Sequence, residues 1–277
     1  MRHAPDMADI AGLVRDVAAH HILPLFQNLR DHHIEEKSPG DLVTQADRAA
    51  EAELMRRLDG LIPGAGFLGE EAAAIDPELI RKVDDPDPLW IIDPVDGTRN
   101  FVDGKPEFAL MLAYAAGLKI HMSWIYFPAT GRLVMAEEGS GAELHDPSGT
   151  RMRLRCDGEQ DRITRGSLNV KYLPPGWRDR VGRLAATGAA LSSFLCAGSE
   201  YVAVARGEKD FVTYYRMLPW DHAPGALILR EAGGVVRSLE TGLDYQPPTL
   251  VGPHLLARGE RSWQFLKDLT EASGEPV

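Results

Sequence analysis

Four short acidic clusters carry most of the chemistry that this 277-residue sequence could perform. The most distinctive is Trp90-Ile91-Ile92-Asp93-Pro94-Val95-Asp96-Gly97-Thr98, an apolar run that delivers two aspartates three positions apart across a proline and a glycine. Like charges so placed are costly without a counter-charge, and carboxylate oxygens are the donors that a hard cation such as magnesium prefers. Pro94 fixes the chain direction, and Gly97 lets backbone amides approach an anion closely. The same residues also read as plain turn formers, because Asp-Pro and Asp-Gly are common turn dipeptides.

The other three clusters each have a chemical and a structural meaning. Gly69-Glu70-Glu71 closes the short run Gly66-Phe67-Leu68 and puts carboxylates at a strand end, or else forms a solvated acidic pair. Trp220-Asp221-His222-Ala223-Pro224-Gly225 opens an apolar helix in which Asp221 is a ligand or an N-cap, and His222 reads as a packing residue at the helix start. In Asp41-Leu42-Val43-Thr44-Gln45-Ala46-Asp47, Thr44 and Asp47 fit the capping box. No cysteine, serine or histidine shows the arrangement of an activated nucleophile.

Several elements must position these groups. Apolar residues near a 3.6 period predict a helix over about 7–28, kinked or ended by Pro24, and a second helix from Thr44 to Leu58. Leu89 to Ile92 reads as a buried strand. Runs at 108–115, 120–127, 132–136, 142–144 and 152–155, punctuated by glycine and proline, predict an antiparallel meander. After Asp157, strands at 167–170, 191–195, 209–213 and 235–238 alternate with helices at 176–186, 199–206 and 221–231, which is an α/β pattern. We expect an N-terminal α+β domain over 1–157 with an antiparallel sheet and most of the acidic site, and a C-terminal α/β domain over 158–277 that supplies Asp221.

The 44% hydrophobic content supports a substantial core, and the net charge of −11 argues against a non-specific nucleic-acid binder. An anionic substrate would then need bound cations to reverse the local potential. Cys156 and Cys196 form no close pair and no zinc spacing, which suggests a reducing cytoplasm. No basic-then-apolar leader and no run of about 20 apolar residues is present, so neither processing nor a membrane partner is expected.

In order and separation, the segments 41–47, 69–71, 90–101 and 220–225, with Glu231-Ala232-Gly233-Gly234 following, resemble the inositol monophosphatase family of lithium-sensitive, magnesium-dependent phosphatases. The resemblance spans about Lys37 to Gly234. It implies a mixed α/β and α+β fold, a layered α-β-α-β-α sandwich of the sugar-phosphatase type, and a homodimer. It implies metal ligation by Glu70, Asp93, Asp96, Asp221 and the Val95 carbonyl. Asp47 and Thr98, with Glu70, would orient and activate water, Gly97 and Thr98 would offer amides to the phosphate, and Lys37 matches the lysine before the first motif. Hydrolysis would be in-line and metal-assisted, without a covalent phosphoenzyme.

The substrate end departs from that family. Gly198-Ser199-Glu200-Tyr201 stands where Gly-Ser-Ala-Ala is usual, and Tyr214 stands where a glutamate precedes the last aspartate by seven residues. Arg216 offers a cation to a phosphorylated sugar or a second phosphate. Candidate substrate contacts are therefore Asp96, Gly97, Thr98, Gly198, Ser199, Tyr214, Arg216 and Asp221. Fructose bisphosphate, a bisphosphorylated nucleotide or histidinol phosphate remain open as substrates, and a regulatory binding protein that retains the site is the rival from another class.

Overall fold

Side chains of a strand alternate between its two faces, and here that alternation sorts the interior into three cores. In the computed structural model, which describes residues 5–38, 41–156 and 162–272, Trp90 and Ile92 of β4 (Leu89–Asp96) pack into one core and Ile91 into a second. β5 (Ala109–Ala116) repeats this, with Leu110 and Leu112 in the first core and Met111 and Ala113 in the second. In β12 (Phe211–Arg216), Val212 faces the second core and Phe211 the third.

The first sheet runs in the order β3 (Gly66–Gly69), β4, β5, β6 (Lys119–Phe127), β7 (Arg132–Glu137), β8 (Gly141–His145) and β9 (Arg151–Arg153). Only β3 and β4 are parallel, so the expected meander forms from β5 onward. The second sheet has the order β11 (Ala190–Leu191), β10 (Arg165–Leu168), β12, β14 (Val251–Ala257) and β13 (Val235–Ser238), with β10 parallel to both its neighbours. A hairpin of β1 (Ile34–Ser38) and β2 (Asp41–Thr44) stands apart from both sheets.

Helices fill the remaining layers. α1 (Met7–Val17) and α2 (Gln45–Leu58) cover the outer face of the first sheet. α6 (Ala197–Ala205) and α7 (Pro219–Glu231) lie between the sheets, and α5 (Pro175–Gly182) and α8 (Glu260–Glu271) cover the second sheet from outside. The result is the α-β-α-β-α sandwich. α7 is apolar all round, as a helix held between two sheets must be. Gly225 lets α6 approach it, because a Cβ there would lie 2.2 Å from the Tyr201 ring.

Three sequence expectations are corrected. The first helix does not reach Asn28: α1 ends at Val17, a π-helical turn covers Ala18–Ile22, and Leu23 bonds back to the Ala18 carbonyl at 2.9 Å. Pro24 lacks an N–H and crowds the preceding turn, so the backbone widens before it. The strand expected over 191–195 is only Ala190–Leu191, because the chain then leaves the sheet to reach α6. Asp221 is not an N-cap: Pro219 opens α7 from a Leu218 cap, as proline prefers. β14 has no counterpart in the sequence reading, and its Pro253 lies where the register shifts between Tyr214 and Arg216 of β12. The domain boundary expected near 156–162 falls largely on residues outside the described ones.

One buried carboxylate ties the second sheet together. Asp210 accepts from the Thr164 and Arg165 amides at 2.7 and 2.9 Å, from Thr164 Oγ1 at 3.1 Å, and from Arg258 Nη1 at 3.2 Å. Burial alone would raise its pKa, but those amides, Arg258 and the Thr164 hydroxyl outweigh burial and lower it. A depressed carboxyl pKa gives stability that is present above the unfolded value, about 3.9, and lost as pH falls through the folded value. Asp210→Asn should therefore lower the thermal midpoint at pH 7, with the gap to wild type narrowing as pH drops below about 4. A pH-independent gap in calorimetric scans would contradict the role given to its charge.

Candidate active site

In a regular strand, residues three apart face opposite sides. Asp93 and Asp96 escape this because β4 carries one extra residue there: Asp93 pairs with Met111 but Asp96 with Ala109. The bulge at Pro94 and Val95 turns both carboxylates toward the interior between the sheets. Asp93 Oδ1 accepts from the Val95 amide at 3.1 Å, which holds the bend. Gly97 then takes φ 84°, and a Cβ on it would lie 2.9 Å from the Glu107 carbonyl oxygen, so no other residue fits. α4 (Thr98–Val102) begins directly after it.

α2 brings the second wall. The expected capping box is present: Asp47 Oδ2 accepts from the Thr44 amide at 2.9 Å and its hydroxyl at 2.5 Å. Capping uses only that oxygen, and Oδ1 lies 3.3 Å from Thr98 Oγ1, which is also 2.9 Å from the Val95 carbonyl. Burial, partly opposed by the Thr44 bonds, pushes the Asp47 pKa up to about 7.

One turn further along α2, Glu51 accepts from the Glu71 and Ala72 amides at 2.8 and 2.7 Å and so caps α3 (Glu70–Ile75). Burial raises its pKa to about 7 against those bonds. A Cβ on Gly69 would collide with that carboxylate, at 2.3 Å from Cδ. Glu51 was missed in the sequence, although its i+4 spacing from Asp47 places the two acids on one helix face. Lys37 completes this side, with Nζ 2.8 Å from Glu70 Oε1 and 2.9 Å from Glu71 Oε1. Burial disfavours its charge, but the Glu70 and Glu71 carboxylates outweigh that and raise its pKa.

The third wall comes from the second half of the chain. Asp221 sits in the first turn of α7. Asp96 reaches across to α6, accepting from the Ala197 and Gly198 amides at 3.0 and 2.7 Å and from Cys196 Sγ at 3.0 Å. Burial raises the pKa of Asp96 to about 6, moderated by those donors. Asp93 and Asp221 are raised further, by burial first and then by the charges of Glu70 and the neighbouring aspartates. Negative charge is thus concentrated where little water can screen it.

The candidate substrate residues separate. Asp96, Tyr214, Arg216 and Asp221 line one cavity of about 250 Å³ together with Lys171 and Tyr172. Gly198 is packed against Met111, Ile125 and Asp96, and Ser199 turns its hydroxyl to Cys196 Sγ and lines a different cavity beside Phe127 and Arg206. Glu200 explains its own departure from the family pattern: it is buried, pairs with Lys209 at 2.6 Å, and accepts from the Phe194 amide at 2.8 Å, bracing the 192–195 loop. His222 is a packing residue. Its Nδ1 accepts from Tyr201 and its Nε2 donates to the Arg216 carbonyl, and burial lowers its pKa to about 3.

The model of the inositol monophosphatase family matches residues 6–272. The chain belongs to that family. It is 34% identical over 224 residues to the inositol-1-monophosphatase of Mesorhizobium japonicum, covering 79% of this chain and 80% of that one. It is 32% identical over 203 residues to the fructose-1,6-bisphosphatase/inositol-1-monophosphatase of Thermotoga maritima, covering 73% of each. The crystal structure of the extragenic suppressor protein suhB from Bartonella henselae superposes with a TM-score of 0.78 at 27% identity, over 97% of this chain and 99% of that one. The protein is therefore a phosphatase of this family, acting on a small phosphorylated compound. Among the described residues, no helix is long and apolar enough to cross a membrane.

The family implies a divalent metal. Among the described residues, no three acidic, histidine or cysteine side chains are grouped closely enough to hold a metal ion as they stand. Asp96 is turned to the α6 amides and Glu70 to Lys37. The donor set nevertheless fits a hard cation, since buried carboxylates that raise one another's pKa are what such an ion would neutralise. Asp221→Asn, which removes one of these charges in place, should stabilise the chelated protein at pH 7.5. A relief of about 1 kcal/mol would raise the midpoint by roughly 2–4 °C. A lower midpoint in differential scanning fluorimetry would show that the carboxylates do not repel.

Proposed function

We propose that the protein hydrolyses a small phosphate monoester with magnesium as its cofactor. The observation that supports this is the electrostatic proximity of four carboxylates from three separate elements: Glu70, Asp96 and Asp221 each raise the pKa of Asp93. Glu70, Asp93, the Val95 carbonyl, Asp96 and Asp221 would hold the metal. Bound magnesium would supply a lowered water pKa and charge stabilisation of the leaving oxygen.

The chain's own groups do the rest. Thr98 Oγ1 lies between Asp47 Oδ1 and the Val95 carbonyl, so it can orient an attacking water and pass a proton to Asp47. A carboxylate pushed up to about 7 is matched to accept a proton near neutrality. Lys37 holds Glu70 in place, and Glu51 fixes the helix start from which Glu70 projects. The Gly97 and Thr98 amides, at the opening of α4, orient the phosphate. Lithium sensitivity and a homodimer accompany this assignment as properties the family resemblance implies, and a cytoplasmic setting as the expectation from two cysteines that form no close pair.

Phosphate release from inositol 1-phosphate, fructose 1,6-bisphosphate, a bisphosphorylated adenosine and histidinol phosphate, each with magnesium and with chelator, tests the proposal. Release from at least one should require magnesium, and Asp93→Asn should lower it by 10³-fold or more, on the order of 4 kcal/mol in the barrier. Undiminished release in chelator, or by the folded Asp93→Asn protein, would refute the assignment.

A further inference from the structure

The cavity beside the acidic cluster is lined by charges of both signs. Asp96 and Asp221 share it with Lys171 and Arg216, both at exposed positions. Strand topology brings the two cations together. β10 and β12 are parallel, with Leu168 opposite Thr213, so the segment 169–172 that leaves β10 runs beside the last residues of β12, 214–216. That edge of a parallel pair is where open α/β sheets commonly bind ligands.

Both cations rest on one ring. Arg216 Cζ is 4.5 Å and Lys171 Nζ 5.0 Å from the centroid of Tyr172, which holds two like charges near each other. No carboxylate among the described residues forms an ion pair with either, in a chain whose net charge is −11. Asn169, on the same wall, has a buried Nδ2 with no hydrogen-bond partner. Two cations without an ion-pair partner, one of them near enough to Asp221 to oppose the rise in its pKa, and an unused donor in the same cavity form a receptor for a dianion.

We propose that Lys171 and Arg216, with Asn169 Nδ2, bind a second phosphate of the substrate while its first phosphate lies at the acidic cluster. The substrate class is then a small bisphosphorylated sugar or polyol. A guanidinium fork and an ammonium together match the charge of a phosphate better than that of a carboxylate. The cavity of about 250 Å³ is small for a ligand site, which favours a sugar over a nucleotide carrying a purine. Tyr214 closes this space where the family pattern has a glutamate, and its stacking on Tyr201 and edge contact with His222 fix it there. A neutral ring in place of that acid removes a charge that would repel a second phosphate.

This inference rests on the phosphatase assignment, and the test separates the two. Steady-state hydrolysis of fructose 1,6-bisphosphate is compared with that of fructose 1-phosphate in magnesium, for wild type, Arg216→Ala, Arg216→Lys and Lys171→Ala. Wild type should prefer the bisphosphate by tenfold or more in kcat/KM, through KM. Both alanine variants should collapse that ratio toward one, and Arg216→Lys should restore part of it. Equal use of the two substrates by wild type, or an equal loss on both in the variants, overturns the second-phosphate site. If neither sugar is hydrolysed, calorimetric titration of fructose 1,6-bisphosphate into the chelated protein decides. Binding that weakens tenfold or more in Arg216→Ala supports the site even then, and absence of binding overturns it. Preference for a bisphosphorylated adenosine over both sugars would overturn the assigned substrate class.

Discussion

Carboxylate repulsion in a dry place is the constraint around which this protein is built. Asp93 and Asp96 are buried and Asp221 is half-buried between two sheets, with Glu70 close enough to raise the pKa of Asp47, Glu71 and all three aspartates. Each would be more stable in water, so every one needs a group that holds it in place. Lys37 takes Glu70 and Glu71, Thr44 takes one oxygen of Asp47, and the amides of α6 take Asp96. Asp93 has the least compensation, and Asp221 is offset only in part by the charges of Arg216 and Lys37. They are also the residues whose charge a bound cation would relieve most.

Holding unfavourable charge requires stability from elsewhere, and the layered architecture supplies it. Each buried Leu, Ile or Phe contributes about 1.5–3 kcal/mol relative to an exposed one. α7 shows the division of labour within one helix: Asp221 projects from its first turn, and Ala223, Ala226, Leu227, Ile228 and Leu229 bury the remainder between the sheets. The second sheet has its own electrostatic anchor in Asp210, which is fully satisfied and distant in role from the acidic cluster. Buried acids here are thus of two kinds, those with donors enough to lower their pKa and those without.

What the sequence disclosed follows the range of the interactions involved. The Thr44–Asp47 capping box was legible because it is local, and the meander was legible because glycine and proline mark its turns. The layered fold came through the family resemblance of four ordered motifs. Interactions across long sequence distances were not legible. Nothing near Asp47 signals that its second oxygen meets Thr98, 51 residues away, and nothing near Lys171 signals Arg216, which it meets only through the β10–β12 pairing. The central strand β14, which carries Pro253 at a register shift, was not read from the sequence. α8 was readable in principle, since Trp263, Leu266 and Thr270 are buried at helical spacing.

Asp96 links these levels. Its backbone ends β4 in the first sheet, and its carboxylate receives the first amides of α6 between the sheets. It also lines the cavity that holds Lys171 and Arg216. The loop leading into α6 is held independently by the buried Glu200–Lys209 pair and by Asn100, whose Nδ2 donates to the Phe194 and Glu107 carbonyls at 2.7 Å. A small rotation of the Asp96 carboxylate would therefore be felt at the α6 amides before the braced loop could follow. The acidic cluster and the cavity wall thus share Asp96, so a change in its hydrogen bonds would alter both.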